Sequence, residues 1–123
     1  MLTHSPLIAF IPTKDKTRAR RFYEKILGLR FISDDDFAIV MDANGTMVRI
    51  VRVDDFTPFP FTILGWQVGD IHKTVADMTG RGLTFTRYAY FEQSPDGVWT
   101  APGGTKVAWF TDPDGNTLSI SQH

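Results

Sequence analysis

The stretch FTDPDGNTLSISQ, residues 110–122, decides how this chain is read. Apolar and β-prone residues flank a run of Asp, Pro, Asp, Gly and Asn, the residue types that build tight turns. It therefore reads as strand, turn, strand, with KVAWFTD (106–112) before the turn and TLSISQ (117–122) after it. Upstream, FTILGWQVG (61–69) is a strand. DIHKTVADMTGRG follows, with Ile71, Val75 and Met78 on one helical face, Asp70 as the cap and glycines at the end. LTFTR (83–87) alternates like a strand. The order is β, α, β, β, β.

The first half of the chain repeats that order. LIAFI (7–11) is a strand that Pro12 ends or marks as an edge. In TKDKTRARRFYEKILG, the residues Ala19, Phe22, Tyr23, Ile26 and Leu27 share a helical face between an Asp15 cap and Gly28. LRFIS (29–33), FAIVMD (37–42) and TMVRIVRV (46–53) are strands, the last two joined by an Asn44-Gly45 hairpin turn. DDFTPFPF, with Pro58 and Pro60, separates the halves. The chain is thus expected to be one domain of two modules, 7–53 and 61–122, with a linker at 54–60. The helix caps are 55 residues apart and the turn aspartates Asp42 and Asp112 are 70 apart. The second copy therefore carries about 15 more residues, placed in the stretch 88–104 between its second and third strands. That stretch holds Tyr88, Tyr90, Phe91 and Trp99, which favours a lid or pocket wall over a solvated surface excursion.

Composition narrows the classes. The chain has 123 residues, 42% of them apolar and 22% charged, with a net charge of −1 and no cysteine. Disulfides, thiolate metal sites and a Cys nucleophile are excluded. Nothing in the charge pattern suits nucleic acid, and no apolar stretch is long enough for a membrane span. The opening residues MLTHSPLIAF are too short and polar for a secretory leader, so a cytoplasmic location is expected.

The two βαβββ units, the helix signature Asp15, Phe22, Tyr23, Leu27 and Gly28, and the DPDGN turn at 112–116 together resemble the vicinal oxygen chelate superfamily, also called glyoxalase/bleomycin resistance protein/dioxygenase. The resemblance covers nearly the whole chain. It implies an α+β fold in which two curled mixed sheets enclose a cavity, with helices outside, and it implies a homodimer. In metal-dependent members a ligand lies seven residues before each helix cap, and a Glu lies three residues after the turn Asn. Carried onto this chain, those positions are Ile8, Ile63 and Ser119, with Arg49 as the first-copy equivalent of Ser119. Hydrocarbon, guanidinium and a lone hydroxyl do not bind Zn²⁺, Ni²⁺, Mn²⁺ or Fe²⁺. No metal and no other cofactor is expected. His4, His72 and His123 are expected at the surface or chain ends.

Alternation along the strands assigns a ligand face: Ile8, Phe10, Ile39, Arg49, Ile63, Gln67, Trp109 and Ser119, with Tyr90 and Trp99 from the long loop. This is an apolar cup with a few polar groups. Arg49 needs an acceptor there. A ligand acid, an internal acid such as Glu92 or Asp96, or solvent would each serve. No nucleophile with an adjacent base is evident, and catalytic residues are not assigned. Three functions follow. The first is metal-free binding of a small acidic or aromatic molecule in the cavity between modules. The second is a glyoxalase-like lyase or isomerase acting on an α-oxo or vicinal-dioxygen substrate. The third is a structural module that binds nothing in its cavity.

Overall fold

The structure is a computed structural model that describes all 123 residues. The chain forms two compact units, Met1–Thr57 and Pro58–His123. Each is a four-stranded mixed sheet with a helix on one face.

In the first unit the strands are β1 (Ile8–Thr13), β2 (Arg30–Asp34), β3 (Ala38–Ala43) and β4 (Thr46–Arg52). Their order is β1-β4-β3-β2, with β1 parallel to β4 and the other pairs antiparallel. Pro12 lies within β1, which is an edge strand and can spare an N–H. Helix α1 (Lys16–Arg21) starts where the Asp15 carboxylate accepts from the Arg18 N–H at 3.1 Å. It passes into a π-helical turn over Phe22–Ile26, closed by Leu27 N–H donating to the Phe22 carbonyl at 3.1 Å. Gly28 then turns the chain with φ 76°, a backbone angle that costs glycine little. Tyr23, Ile11, Met41, Val48 and Ile50 are fully buried between helix and sheet. Each contributes about 1.5–3 kcal/mol by leaving water.

The second unit comprises β5 (Thr62–Gln67), α2 (Ile71–Gly80), β6 (Trp99–Thr100), β7 (Lys106–Thr111) and β8 (Thr117–Gln122), in the order β5-β8-β7-β6. Asp70 caps α2 by accepting from Lys73 N–H at 3.2 Å. Ile71, Val75 and Met78 are buried on the helix, as are Ala108, Phe110, Leu118 and Ile120 on the sheet. The register of β5 on β8 shifts between Thr62 and Leu64, so Ile63 is the extra residue of a bulge.

The expected strand at 83–87 is corrected. The second strand of this unit is β6, so the additional residues precede it and do not follow it. Leu83 and Phe85 are buried, which explains the alternating pattern. Thr86 N–H does donate to the Trp109 carbonyl at 2.8 Å, but the other side of the segment bonds to a side chain. Gln93 Oε1 accepts from Tyr88 N–H at 2.7 Å, and its Nε2 donates to Thr86 O at 3.1 Å and Gly97 O at 2.8 Å. One amide thus stands where a neighbouring strand would be.

The DPDGN turn closes β7 onto β8 around a buried carboxylate. Asp112 Oδ1 accepts from the Asp114 and Asn116 amides, each at 2.9 Å, and Oδ2 accepts from Asn116 Nδ2 at 2.9 Å. A side chain at Gly115, φ 88°, would meet Pro58 Cγ at 3.3 Å. The segment entering this unit therefore lies against the turn.

Candidate functional site

Each sheet has one face under its helix and one open face. On the first sheet the open face carries Ile8, Phe10, Met47, Arg49 and Val51, because Phe10 pairs with Arg49 and Ile8 with Met47. Ile39 is a correction. It pairs with Ile50, not with Arg49, and stands buried on the helix-covered side. Val40 is the β3 residue opposite Arg49.

Arg49 Nη2 donates to Asp35 Oδ2 at 2.9 Å. The internal acids named from sequence, Glu92 and Asp96, are not its partners. Asp35 belongs to the turn between β2 and β3. There its Oδ1 accepts from the Ala38 and Phe37 amides at 2.9 and 3.2 Å. The hydrogen bond from Arg49, then those amides, hold the Asp35 carboxyl below the usual carboxylate range. Lys16, 2.6 Å away, and then the Asp36 amide lower Asp34 in the same way.

On the second sheet the open face carries Gly65, Gln67, Ser119, Ser121, Val107 and Trp109, by register. Trp99 pairs with Val107 and joins that face. Ser119 is 9% exposed, and a Cβ at the facing Gly65 would come within 3.0 Å of its Oγ. Trp66 pairs with Ile120 on the other face and stacks on Phe110 at 6.5 Å. Ile63, on its bulge, is half-buried.

The loop closes over this open face with its aromatic residues. Phe91 lies flat on Trp109, centroids 5.2 Å apart and planes 7° apart, and stacks on Trp99 at 4.5 Å. Tyr88 meets Trp109 edge-on at 5.4 Å, and Tyr90 packs on Phe91 at 4.8 Å. Burial, and then the neighbouring Tyr90, push the Tyr88 phenol up. The sequence assignment named Tyr90, Trp99 and Trp109 but left out Phe91, the ring that joins them. The run Tyr88-Ala89-Tyr90-Phe91 was the signal. Arg87 braces the loop by donating to the carbonyls of Gln93, Ser94 and Pro95 at 3.0–3.3 Å.

Two hollows flank the loop. One of about 390 Å³ is lined by Glu92, Gln93, Ser94, Val98, Trp99 and Thr100. The other, about 280 Å³, runs from Thr79 and Leu83 to Arg87 and Asp96. Beside it His72 Nδ1 lies 2.7 Å from Asp96 Oδ2, and the Ser94 hydroxyl donates to Asp96 Oδ1. This is not a hydrolytic triad, because the acid stands between the hydroxyl and the imidazole. It ties the loop to α2. Burial pushes the Asp96 carboxyl up, but the hydrogen bonds from Ser94 and His72 outweigh it and leave the group lowered.

All three acids therefore have folded pKa values below their unfolded ones. Their stabilisation is complete above the unfolded value of about 3.9 and is lost as pH falls through the lowered values. The melting temperature is expected to hold from pH 7 to about 5 and to drop below about pH 4. Asp96→Asn should flatten that drop in a thermal melt series. An equally steep drop would show that other carboxylates control it.

No three His, Cys, Asp or Glu side chains converge to hold a metal ion. The positions that would supply ligands present Ile8, Arg49, Ile63 and Ser119, and this donor set does not fit a divalent metal.

Comparison with known proteins agrees with the architecture. A crystal structure of a glyoxalase/bleomycin resistance protein/dioxygenase superfamily member from Sphaerobacter thermophilus matches with TM-score 0.78 at 24% identity, covering 100% of both chains. A glyoxalase/bleomycin resistance protein/dioxygenase from Alicyclobacillus acidocaldarius matches at 0.71 and 19%, covering 98% of this chain and 92% of that one. One from Nocardioides matches at 0.73 and 15%, covering 96% and 82%. At these identities the likeness is one of fold. No curated protein matches the chain. The sequence profile of the family spans residues 7–120, so this chain belongs to the Glyoxalase/Bleomycin resistance protein/Dioxygenase superfamily.

Proposed function

We propose that this chain binds a small aromatic or acidic organic molecule on the open faces of its sheets, without a metal ion, and that binding rather than turnover is its role. The observation that carries the reading is the stacked surface of Phe91, Trp99 and Trp109. Flat rings stack on such surfaces at centroid spacings of about 4.5–7 Å. The donor set described above supports the metal-free part. Titration with indole, quinoline and naphthoate, followed by tryptophan fluorescence, tests the reading. Saturable quenching, together with a calorimetric affinity that falls at least about tenfold in Trp109→Ala, supports it. No quenching and no rise in melting temperature with any of the three would overturn it. Metal analysis of untagged protein is the second arm. Stoichiometric metal would favour the lyase or isomerase reading, with an α-oxo or vicinal-dioxygen substrate.

The homodimer and the cytoplasmic setting belong to the same proposal. Sedimentation should return twice the 13.9 kDa chain mass. No helix is long and apolar enough to cross a membrane.

A further inference from the structure

Two cations stand on the open face of the first sheet by register: Arg30 on β2, whose Nη2 lies 3.9 Å from Asp42, and Arg49 on the central strand β4. Phe10 and Val40 flank Arg49 across the strands, and Met47 and Val51 flank it along β4. Phe10 is 63% exposed, and Phe37 and Met47 are also exposed. The Arg49 side chain is only 27% exposed and donates one hydrogen bond, from Nη2 to a single oxygen of Asp35. A guanidinium has five N–H donors and fits a carboxylate best through two parallel bonds. Asp35 does not offer that geometry, because its other oxygen is committed to the Ala38 and Phe37 amides. The turn that holds it is tight, with Asp36 at φ 75°, a conformation that few non-glycine residues adopt. Asp35 is thus a half-matched counter-ion. It pairs with Arg49 through one donor and leaves the other guanidinium N–H groups without a protein acceptor, on a strand position flanked by Phe10 and Val40.

We propose that Arg49 is the anchor for a ligand carboxylate, which takes the two-pronged position that Asp35 leaves open. The ligand's apolar or aromatic body then lies over Phe10 and Met47. This names the acidic group of the ligand class proposed above and rests on that reading. Asp35 acts as a competitor, lowering affinity for weak acids and keeping the cation paired when no ligand is present.

The test is an NMR titration of the ¹⁵N-labelled full chain with benzoate, with benzamide as the neutral isostere and acetate as the ringless acid. The reporters are the Arg49 side-chain N–H groups and the Phe10 and Val40 amides. Benzoate should shift them saturably, with a Kd on the order of millimolar for one partly exposed pair. Benzamide should leave them unmoved, and acetate should bind several-fold more weakly. Asp35→Asn should tighten benzoate about two- to fivefold, the range expected for loss of an exposed competing charge. Arg49→Gln should abolish the shifts while its melt stays cooperative. If Arg49→Gln fails to fold, Asp35→Asn carries the test alone, and unchanged or weaker binding overturns the proposal. Shifts that persist in Arg49→Gln also overturn it. The Trp99 and Trp109 indole N–H signals separate the two readings. Benzoate moving those alone sinks the Arg49 site and supports the aromatic surface. Benzoate moving neither set sinks the Arg49 site, and fluorescence titration with neutral rings then decides the wider reading.

Discussion

Asp112→Ala destabilises the second unit by about 3–5 kcal/mol, as expected when a buried carboxylate is removed and three amide donors lose their acceptor. The carboxylate is 5% exposed and accepts from two backbone amides and the Asn116 side-chain amide. Truncation leaves these donors without it in a place that water scarcely reaches, and each lost bond to a charged acceptor costs about 1.5–3 kcal/mol. The β7–β8 hairpin holds Phe110 and Leu118 in the core, so the damage is not confined to the turn. Asp112→Asn keeps one acceptor oxygen and should lose about half as much. Urea unfolding followed by tryptophan fluorescence measures both. Equal midpoints for Asp112→Ala and the wild type would mean that the turn is held by its backbone alone.

Trp109→Ala removes the centre of the aromatic surface. Its indole contacts Tyr88, Phe91 and Trp99 and shares a face with Ser119. Loss of a large ring from such a cluster costs about 3–5 kcal/mol when fully buried, and less here because Trp109 is only half-buried. The larger effect is on binding. Any flat ligand that stacks on this face loses its platform, and affinity should fall at least about tenfold, the scale of a truncated aromatic hot spot. Trp109→Phe keeps a ring and should stay within a few-fold. Because Trp109 is also a fluorophore, calorimetry is the proper readout for these two variants. Equal affinities for wild type and Trp109→Ala would place the ligand elsewhere.

Much of the fold was legible because each local signal agreed with the next. Asp15 and Asp70 cap their helices, Asn44-Gly45 closes β3 onto β4, and the DPDGN turn closes β7 onto β8. The misplacement of Ile39 has a definite cause. Alternation along a single strand does not fix the facing partner, which depends on turn length. In the first unit the two-residue turn between Ala43 and Thr46 pairs odd-numbered residues with even ones, so Arg49 faces Val40. In the second unit Thr111 pairs with Thr117 across a five-residue turn. Odd then pairs with odd, and Trp109 faces Ser119 as alternation suggested. Turn length, which the sequence displays, therefore decides which residues share a face.

Other parts were not legible. Residues 83–87 alternate because Leu83 and Phe85 are buried, and alternation does not tell a ladder partner from the side-chain amide of Gln93. The partner of Arg49 depends on how the turn at Asp34, Asp35 and Asp36 aims three consecutive carboxylates. Asp34 goes to Lys16 and Asp35 to Arg49. No periodicity encodes that choice.

The stack of Phe91 on Trp109 has a calorimetric consequence. Part of the indole face is already withdrawn from water by the chain's own ring. A guest that takes the place of Phe91 exchanges one apolar cover for another and exposes the displaced ring. Its binding enthalpy should therefore change little with temperature, since the heat-capacity change follows the net apolar area removed from water. A guest that instead adds to the outer edge, on Tyr90 at 76% exposure, covers fresh surface and should bind with a clearly negative heat-capacity change. The temperature slope of the binding heat thus reports whether Phe91 gives way or stays to form part of the platform.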